Sequence, residues 1–587
     1  EGNLKVQNTQ NFSNTGANSF GAVSTFAIPK DKKIYIEVQC DSHNGTYWFA
    51  GFATQSGLEA GVSSTNTGGA SSVTFYNRAV MKNGTQFQYS SSSGVGGLGG
   101  GTSPFAIDDV LGMAVDGSNG NVWFSKNGSY FKTIASNNGS TGNVGDPSAG
   151  TDPVATVDNV PSEDLFLVVS TGNPATVFVN FGQDSQNVSS ANADSEGIGT
   201  FEYPVPTGYV SLCAANLTTP AIGPTESSQA DDHFNTVIWS GNSTNNRSIT
   251  TGHATDWIWI KKRGTTVQSH VLADTVRGTS DNGGTGNNGI LASNSSDEEN
   301  TNSSDSGIAS FDSTGFTIGA GSNTANADAP YQGTNASGHT YVGWSWKAGG
   351  SASSNSNGSI TSSVSANQDA GFSIVSWTGT GSAGTIGHGL SSAPEHIIVK
   401  NRDSTAGRIW LNYVKAAASD AETDYLSLSG NGAAVDNADI WNDTAPTSTV
   451  FSVGSNASAN ESSDKMIAYC FHSVEGYSDF GNYVGNNSTD GPFVFTGFRP
   501  AFLLLKRRDS AASWLIYDNK RDTYNQMQYA IFPDLTNVEY TSNLLHVDFL
   551  SNGFKIRNST YGETNASSGA YIYLAFAEAP FKFANAR

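Results

Sequence analysis

The sequence predicts an all-β, multidomain protein made of antiparallel β-sandwiches, a concanavalin-like jelly roll followed by three related sandwich repeats. Three observations lead there. Charged residues are only 14% of the 587, and Gly, Ser, Thr and Asn fill the gap with turn formers that are poor in helices. Short apolar runs recur between Gly and Asn clusters throughout the chain. One strand pattern returns three times in the last 350 or so residues, the mark of internal repeats.

Length requires several cores, since single cores stop growing near ~250–300 residues. Aromatics at 11% supply apolar surface for them, which separates this chain from disordered ones. The net charge is −22 and the pI about 4.6, and no basic stripe offsets them. Such a surface repels phosphate backbones, so nucleic acid is excluded as an expected partner. An acidic, lysine-poor surface also tolerates salty surroundings, where self-repulsion is screened. Cys40, Cys213 and Cys470 are odd in number and widely spaced, which disfavours a zinc site or disulfide framework; buried thiols are expected, with a Cys40–Cys213 pair as the alternative. No apolar run reaches the ~18–20 residues of a membrane span, and no signal peptide is visible. The chain starts at Glu1 without Met, which leaves processing of the N-terminus open.

Residues 1–215 read as one sandwich. In Lys32 to Cys40, Ile34, Ile36 and Val38 alternate onto one face. Thr46 to Thr54 follows a His-Asn-Gly turn. Val110 to Phe131 reads as two successive hairpins, turning at Asn119-Gly120 and Asn127-Gly128. Leu165 to Thr171 is a continuous buried strand, and Ala175 to Gln183 alternates again. The order of segments resembles the SPRY domain family. The resemblance rests on Trp48, Gly51 and Ala53; on Asp109, Gly112, Asp116, Gly120, Val122, Phe124, Asn127 and Gly128; and on Asn180 to Gln183 with Pro206 to Leu212. It implies a concanavalin-like sandwich that binds ligands through loops at one end. The loop at 135–162 is long for that family.

Residues 216–230 carry two prolines and read as a linker. Beyond it, Phe234 to Gly241 recurs as Phe372 to Gly379, and Gly252-His253 as Gly387-His388. The strand Trp257 to Arg263 recurs as His396 to Arg402 and as Phe502 to Arg508. Each repeat closes on an aromatic strand: Tyr341 to Trp346, Met466 to Phe471 and Tyr571 to Phe576. The expected domains are 231–348, 370–485 and 486–587, with a Ser/Asn/Gly linker at 349–369. One short helix is expected around Val414 to Leu426. Residues 491–507, Val547 to Arg557 and Tyr571 to Lys582 resemble a domain of uncharacterised marine phage tail-fibre-like and virion structural proteins. That resemblance implies a context, the outside of a virion, and no catalytic residues.

The chemistry-bearing patterns are few. Gly94 to Gly99 matches a dinucleotide fingerprint, but the following residues cannot open the helix it needs. The pairs Lys261/Arg263, Lys400/Arg402 and Lys506/Arg508 share a strand face at i, i+2; a salt-bridged outer face is expected, with acidic-ligand binding as the alternative. His253 and His388 are expected to brace turns. Asp297, Glu298 and Asp305, beside Glu299, are expected to form a solvated acidic loop; as oxygen ligands of the kind Ca²⁺ takes, without EF-hand spacing, they leave a Ca²⁺ site as the alternative. Two segments combine an aromatic with polar groups: Phe75, Tyr76, Asn77 and Arg78, and Asp439, Trp441, Asn442 and Asp443; aromatics that belong to the core are expected in both, with a sugar-binding face as the alternative. No GxSxG elbow or closely alternating acids appear. The expectation is a non-catalytic phage appendage or adhesin of four modules in series, each with its own core. It would bind a host-surface glycan or protein, be homo-oligomeric (a trimer by analogy with fibres) and need no cofactor beyond Ca²⁺. A capsid or filament subunit and a jelly-roll depolymerase are the alternatives.

Overall fold

A computed structural model describes residues 4–8, 20–43, 48–54, 78–82, 86–89, 107–134, 141–157, 159–171, 175–183, 188–264, 266–278, 289–299, 307–319, 334–403, 407–418, 420–541, 544–559 and 561–584. The chain is almost all β, with many antiparallel sheets, and divides into two compact units, Glu1–Thr218 and Thr219–Arg587.

In the first unit one sheet runs Leu4–Asn8, Ala175–Asn180, Lys33–His43, Val110–Asp116, Asn121–Lys126, Ala155–Thr156. The other runs Phe20–Ile28, Leu165–Thr171, Trp48–Thr54, Arg78–Lys82, Gln86–Tyr89. Ile34, Ile36 and Val38 alternate into the core between them, where they join Leu111, Met113, Leu167 and Val169. The Asn127-Gly128 turn has both residues at positive φ (48° and 78°), the conformation that matches strand twist in a two-residue hairpin. On the opposite face of the larger sheet, Tyr35 and Trp123 pack under Phe201 and Tyr209. Glu37 lies buried there and holds the covering segment. Its carboxylate accepts from the amides of Glu202 and Tyr203, both at 2.9 Å, and from Tyr35 Oη at 3.2 Å. Cys213 is a free thiol, so it makes no bond to Cys40.

The second unit holds the three repeats. Each has the same four strands in one order, a whole sheet in the first and third repeats and the middle of an eight-stranded sheet in the second. In the first repeat this is Phe234–Ser240, Thr340–Trp346, Trp257–Lys262, Val271–Asp274. In the second it is Phe372–Thr378, Lys465–Phe471, His396–Asn401, Leu411–Val414, and in the third Ser478–Val484, Ala570–Pro580, Phe498–Arg507, Leu515–Asp518. Register makes the repeats equivalent: Trp257, His396 and Phe502 pair with Trp346, Phe471 and Phe576, and the lysine four residues on pairs with Val342, Ile467 and Ile572. A smaller sheet packs under each, with Ile258 and Ile260 facing it in the first repeat and Ile397 and Val399 in the second.

Four expectations are corrected. The third repeat opens at Ser478, not 486: Ser478–Val484 stands where Phe234–Ser240 and Phe372–Thr378 stand, each followed by glycine. The expected linker at 349–369 carries a hairpin, Ser353–Asn355 with Ser362–Asn367, added to the edge of the second sheet. Val414 to Leu426 is not a helix; Val414 ends a strand, a single 3-10 turn follows, and Asp424–Ser427 is strand again. Most consequentially, the repeats are not independent lobes: the first and second keep a core between their own two sheets, but another core is shared by all three. The second face of all three large sheets meets in one cluster, through Trp257, Trp344 and Trp346, Phe372, Tyr469 and Phe471, and Phe502, Leu574 and Phe576. Rings from different repeats touch: Trp257 stacks on Tyr469 at 4.3 Å and Phe234 on Phe576 at 5.1 Å, and Phe471 meets Phe576 at 6.0 Å. Such pairs add to the burial energy of large side chains.

The glycine after each opening strand is fixed by sterics. A Cβ on Gly241, Gly379 or Gly485 would lie 2.0, 2.0 and 2.3 Å from the carbonyl oxygens of Ala336, Glu461 and Ala566. Gly379→Ala is therefore expected to cost about 1–3 kcal/mol, read as a lowered urea midpoint at unchanged slope. An unchanged midpoint contradicts this close packing.

Candidate functional site

The repeated lysines are the first candidates, and the structure buries them. Lys261, Lys400 and Lys506 are at most 1% exposed, so the expected salt-bridged outer face is corrected. They sit at the seams between repeats. Lys261 donates to the carbonyl of Thr536 in the third repeat (3.0 Å), Lys400 to Ser296 in the first (3.3 Å), and Lys506 to Asn431 in the second (3.2 Å). The contacts close a ring of three. An adjacent ring group does the same: His270 meets the Phe532 carbonyl, Trp410 Nε1 donates to Ala292 O, and Trp514 Nε1 to Ser427 O. Burial pushes the lysines down, Lys261 to about 7 and the other two to about 8. These cations serve internal loops whose carbonyls would otherwise be unpaired.

The arginines of the pairs differ by seam. Arg402 clamps Glu299 of the first repeat, which also meets Arg277 at 3.0 Å; Arg277 Nε lies 2.5 Å from Asp274, and Tyr469 Oη donates to Asp274 at 2.8 Å. Arg263 clamps Glu539 of the third repeat, which meets Arg521; Arg521 pairs with Asp518, and Trp344 Nε1 donates to Asp518 at 3.0 Å. At the third seam the positions equivalent to the acids, the buried arginines and their aromatic donors are Val414, Ala417, Ala434 and Leu574, all apolar, while Lys506 and Arg508 still reach it, Arg508 accepting the Ala434 amide on its carbonyl. The four-residue cluster itself is ionic at two seams and apolar at the third, never half of each, as burial of charge demands.

The remaining sequence candidates are dispersed. Phe75, Tyr76 and Asn77 lie outside the described residues, and Arg78 is placed only as the start of a strand. Trp441 is 2% exposed and belongs to the second repeat's core, its indole N–H donating to Asp424 O; it is no surface platform, although Asp439, Asn442 and Asp443 are exposed. Asp297 and Glu298 are exposed, Glu299 is taken by the two arginines, and Asp305 lies outside the described residues. Among the described residues no group of three or more His, Cys, Asp or Glu is placed to hold a metal. His253 and His388 are buried and brace turns, His253 Nδ1–H on the Asp231 carbonyl (2.8 Å) and His388 Nδ1 on the Leu390 amide (3.1 Å).

One cleft stands out, and sequence reading missed it because its residues come from four distant segments. It has a volume of about 180 Å³. The 3-10 turn Ala230–Asp232, capped by Gln229, supplies Asp231, and the strand after it supplies Phe234. The end of Leu515–Asp518 leads into Asn519 and Lys520, and the last strand ends on Glu578 and Pro580. Buried Arg499 donates Nε to Glu578 at 2.7 Å, and Asn519 Nδ2 donates to the same oxygen at 3.0 Å. That fixes the amide and leaves Asn519 Oδ1 buried without a partner. Lys520 and Asp231 also line the cleft.

No curated protein matches this chain. The family described as "Domain of unknown function (DUF7483)" matches residues 229–580, more than half of the chain. The match runs from the capping turn of the first repeat to the last strand of the third, so one family domain comprises all three repeats and the shared core. The chain belongs to the DUF7483 family.

Proposed function

We propose that the protein is an extracellular virion appendage, tail-fibre-like or an adhesin, that binds a host-surface glycan or protein without catalysis. The observation that carries this reading is the inward use of the repeats' equivalent charges: lysines, arginines and their carboxylates close the seams of a rigid ring of three sandwiches. A scaffold so fixed leaves ligand contact to its loops and cleft, the usual division of labour in sandwich binders. The SPRY-like resemblance of the first unit and the phage-like resemblance of the repeats supply the context. Within the cleft, Glu578 is engaged by two donors, an arrangement suited to orienting a ligand. Homo-oligomerisation, as a trimer by analogy with fibres, would raise avidity further.

The test is adsorption of purified protein to candidate host cells, scored together with release of soluble sugar. Adsorption that blocks infection, with no sugar released, is expected. Steady sugar release overturns the non-catalytic reading, and absence of adsorption across the host panel overturns host binding.

A further inference from the structure

We infer that the outer face of the third repeat's smaller sheet binds one neutral pyranose residue of a glycan; this rests on the host-binding reading above. The sheet runs Phe493–Phe495, Gly553–Ile556, Val547–Leu550. Val494, Phe554, Ile556, Val547 and Phe549 point into the shared core. Alternation therefore turns Phe493, Phe495, Lys555 and Asp548 the other way, with Arg557 just past the strand end. The other two repeats show what the fold alone requires at these places. Core pairs set the equivalence: Val494 pairs with Phe554 as Ile249 pairs with Phe316 and Ile386 with Phe451. Where the third repeat has Phe493, Phe495 and Lys555, the first has Ser248, Thr250 and Thr317, and the second has Thr385, Gly387 and Ser452. Small hydroxyl residues and a glycine suffice to build two of the three sheets. The rings and the cation of the third thus answer to something other than folding.

The groups on this face are matched in a way that suits hydroxyls. Lys555 Nζ lies 2.6 Å from Asp490, and Arg557 Nε 3.3 Å from Asp548, so each cation has its acid. Each pair sets donors beside acceptors, and neighbouring hydroxyls of a pyranose are both at once. The Asp490 side chain is 82% exposed, and an ion pair so exposed is worth little, so hydroxyls can enter between Asp490 and Lys555 at small cost. Phe493 stands directly opposite Lys555 and offers a half-buried ring to the C–H face of the sugar. A uronate or sialate would set a third carboxylate against Asp490 and Asp548, whose cations are already matched, so the neutral ring is preferred.

Saturation-transfer NMR on the full chain tests this, titrated with methyl glycosides of neutral hexoses and 6-deoxyhexoses and with the corresponding methyl uronosides. At least one neutral glycoside is expected to receive transfer. Phe493→Ser and Lys555→Thr install the residues that the first repeat carries at these positions. Each is expected to raise the apparent Kd about fivefold, near the worth of one net hydrogen bond. Ser248→Ala, on the equivalent exposed face of the first repeat, should leave it unchanged. Lys555→Thr carries the test should Phe493→Ser disturb the sheet, because the Lys555 side chain is partly exposed. No transfer from any neutral glycoside, an unchanged Kd in Lys555→Thr, or transfer confined to uronosides overturns the inference. Host-cell adsorption without neutral-glycoside transfer would sink this face alone; transfer that Lys555→Thr weakens, in a chain that does not adsorb, would sink the host-binding reading alone.

Discussion

Asp274→Ala is expected to destabilise the second unit by about 3–5 kcal/mol, the cost of breaking a buried ion pair from one side. Asp274 and Arg277 side chains are both fully buried. The substitution leaves Arg277 with one carboxylate, Glu299, beside the Leu272 and Gly289 carbonyls, and it strands the Tyr469 hydroxyl and the amides of Val276 and Arg277, all of which donate to Asp274. The chain itself contains the compensated alternative, since the equivalent seam carries Val414, Ala417, Ala434 and Leu574. The combination Asp274→Val, Arg277→Ala, Glu299→Ala and Tyr469→Leu is therefore expected to be more stable than Asp274→Ala alone, despite three more changes. Neighbours in one network are not additive, and an apolar replacement of a buried network is often near neutral; Arg402 loses Glu299 in this variant and stands as Arg508 does beside Ala434 at the equivalent seam. Urea unfolding of the two variants beside the unaltered chain checks both statements. A quadruple variant less stable than the single one contradicts the seam equivalence.

Acid should unfold the second unit early. His253, His388 and His396 are buried, and burial pushes each down to about 4. An unfolded histidine binds its proton near pH 6.5, so between pH 6.5 and 4 the unfolded chain takes up protons that the folded one refuses. Each contributes stability that is full above pH 6.5 and is lost as pH falls through about 4, on the order of 3 kcal/mol apiece. Buried Asp256 and Asp534, pushed up by desolvation, act in the opposite sense but are fewer. The three seam lysines extend the trend upward. Their folded values near 7 to 8 lie below the ordinary lysine value, so stability should rise further from about pH 7 to 10. Thermal midpoints at intervals between pH 4 and 9 should climb throughout; a maximum near pH 5 would contradict the assigned burial.

Much of this was written locally. The hairpin turns at Asn119-Gly120 and Asn127-Gly128, the alternating Ile34, Ile36 and Val38, and the lysine-bearing repeat strands all come from short-range pattern. What escaped was long-range. The lysines read as surface residues because a buried ammonium is costly, and only the neighbouring repeat's carbonyls remove that cost. A signal was present: the runs Trp257 to Ile260, His396 to Val399 and Phe502 to Leu505 do not alternate, and a strand apolar on both sides is covered on both sides. The strand Ser478–Val484 escaped because Ser478 replaces the phenylalanine of the other two repeats, though Tyr483 and Gly485 keep the aromatic and the glycine. A second repeated signature was also there, Thr334-Asn335-Ala336-Ser337 and Thr564-Asn565-Ala566-Ser567, with Asn460 in the equivalent place. All three asparagines are fully buried and donate to the loop after the opening strand. The cleft had no such signal, because it exists only once the first and third repeats meet.

The shared core is the central claim, and native-state hydrogen exchange on the full chain measures it most directly. The strands that carry Trp257–Lys262, His396–Asn401 and Phe498–Arg507 face one cluster, so their slowest amides should exchange only through unfolding of the whole second unit. All three repeats should then give the same opening free energy, and Asp274→Ala should lower it equally in the third repeat and in the first. Three distinct opening free energies, with the effect of Asp274→Ala confined to its own repeat, would show separate domains and contradict the account.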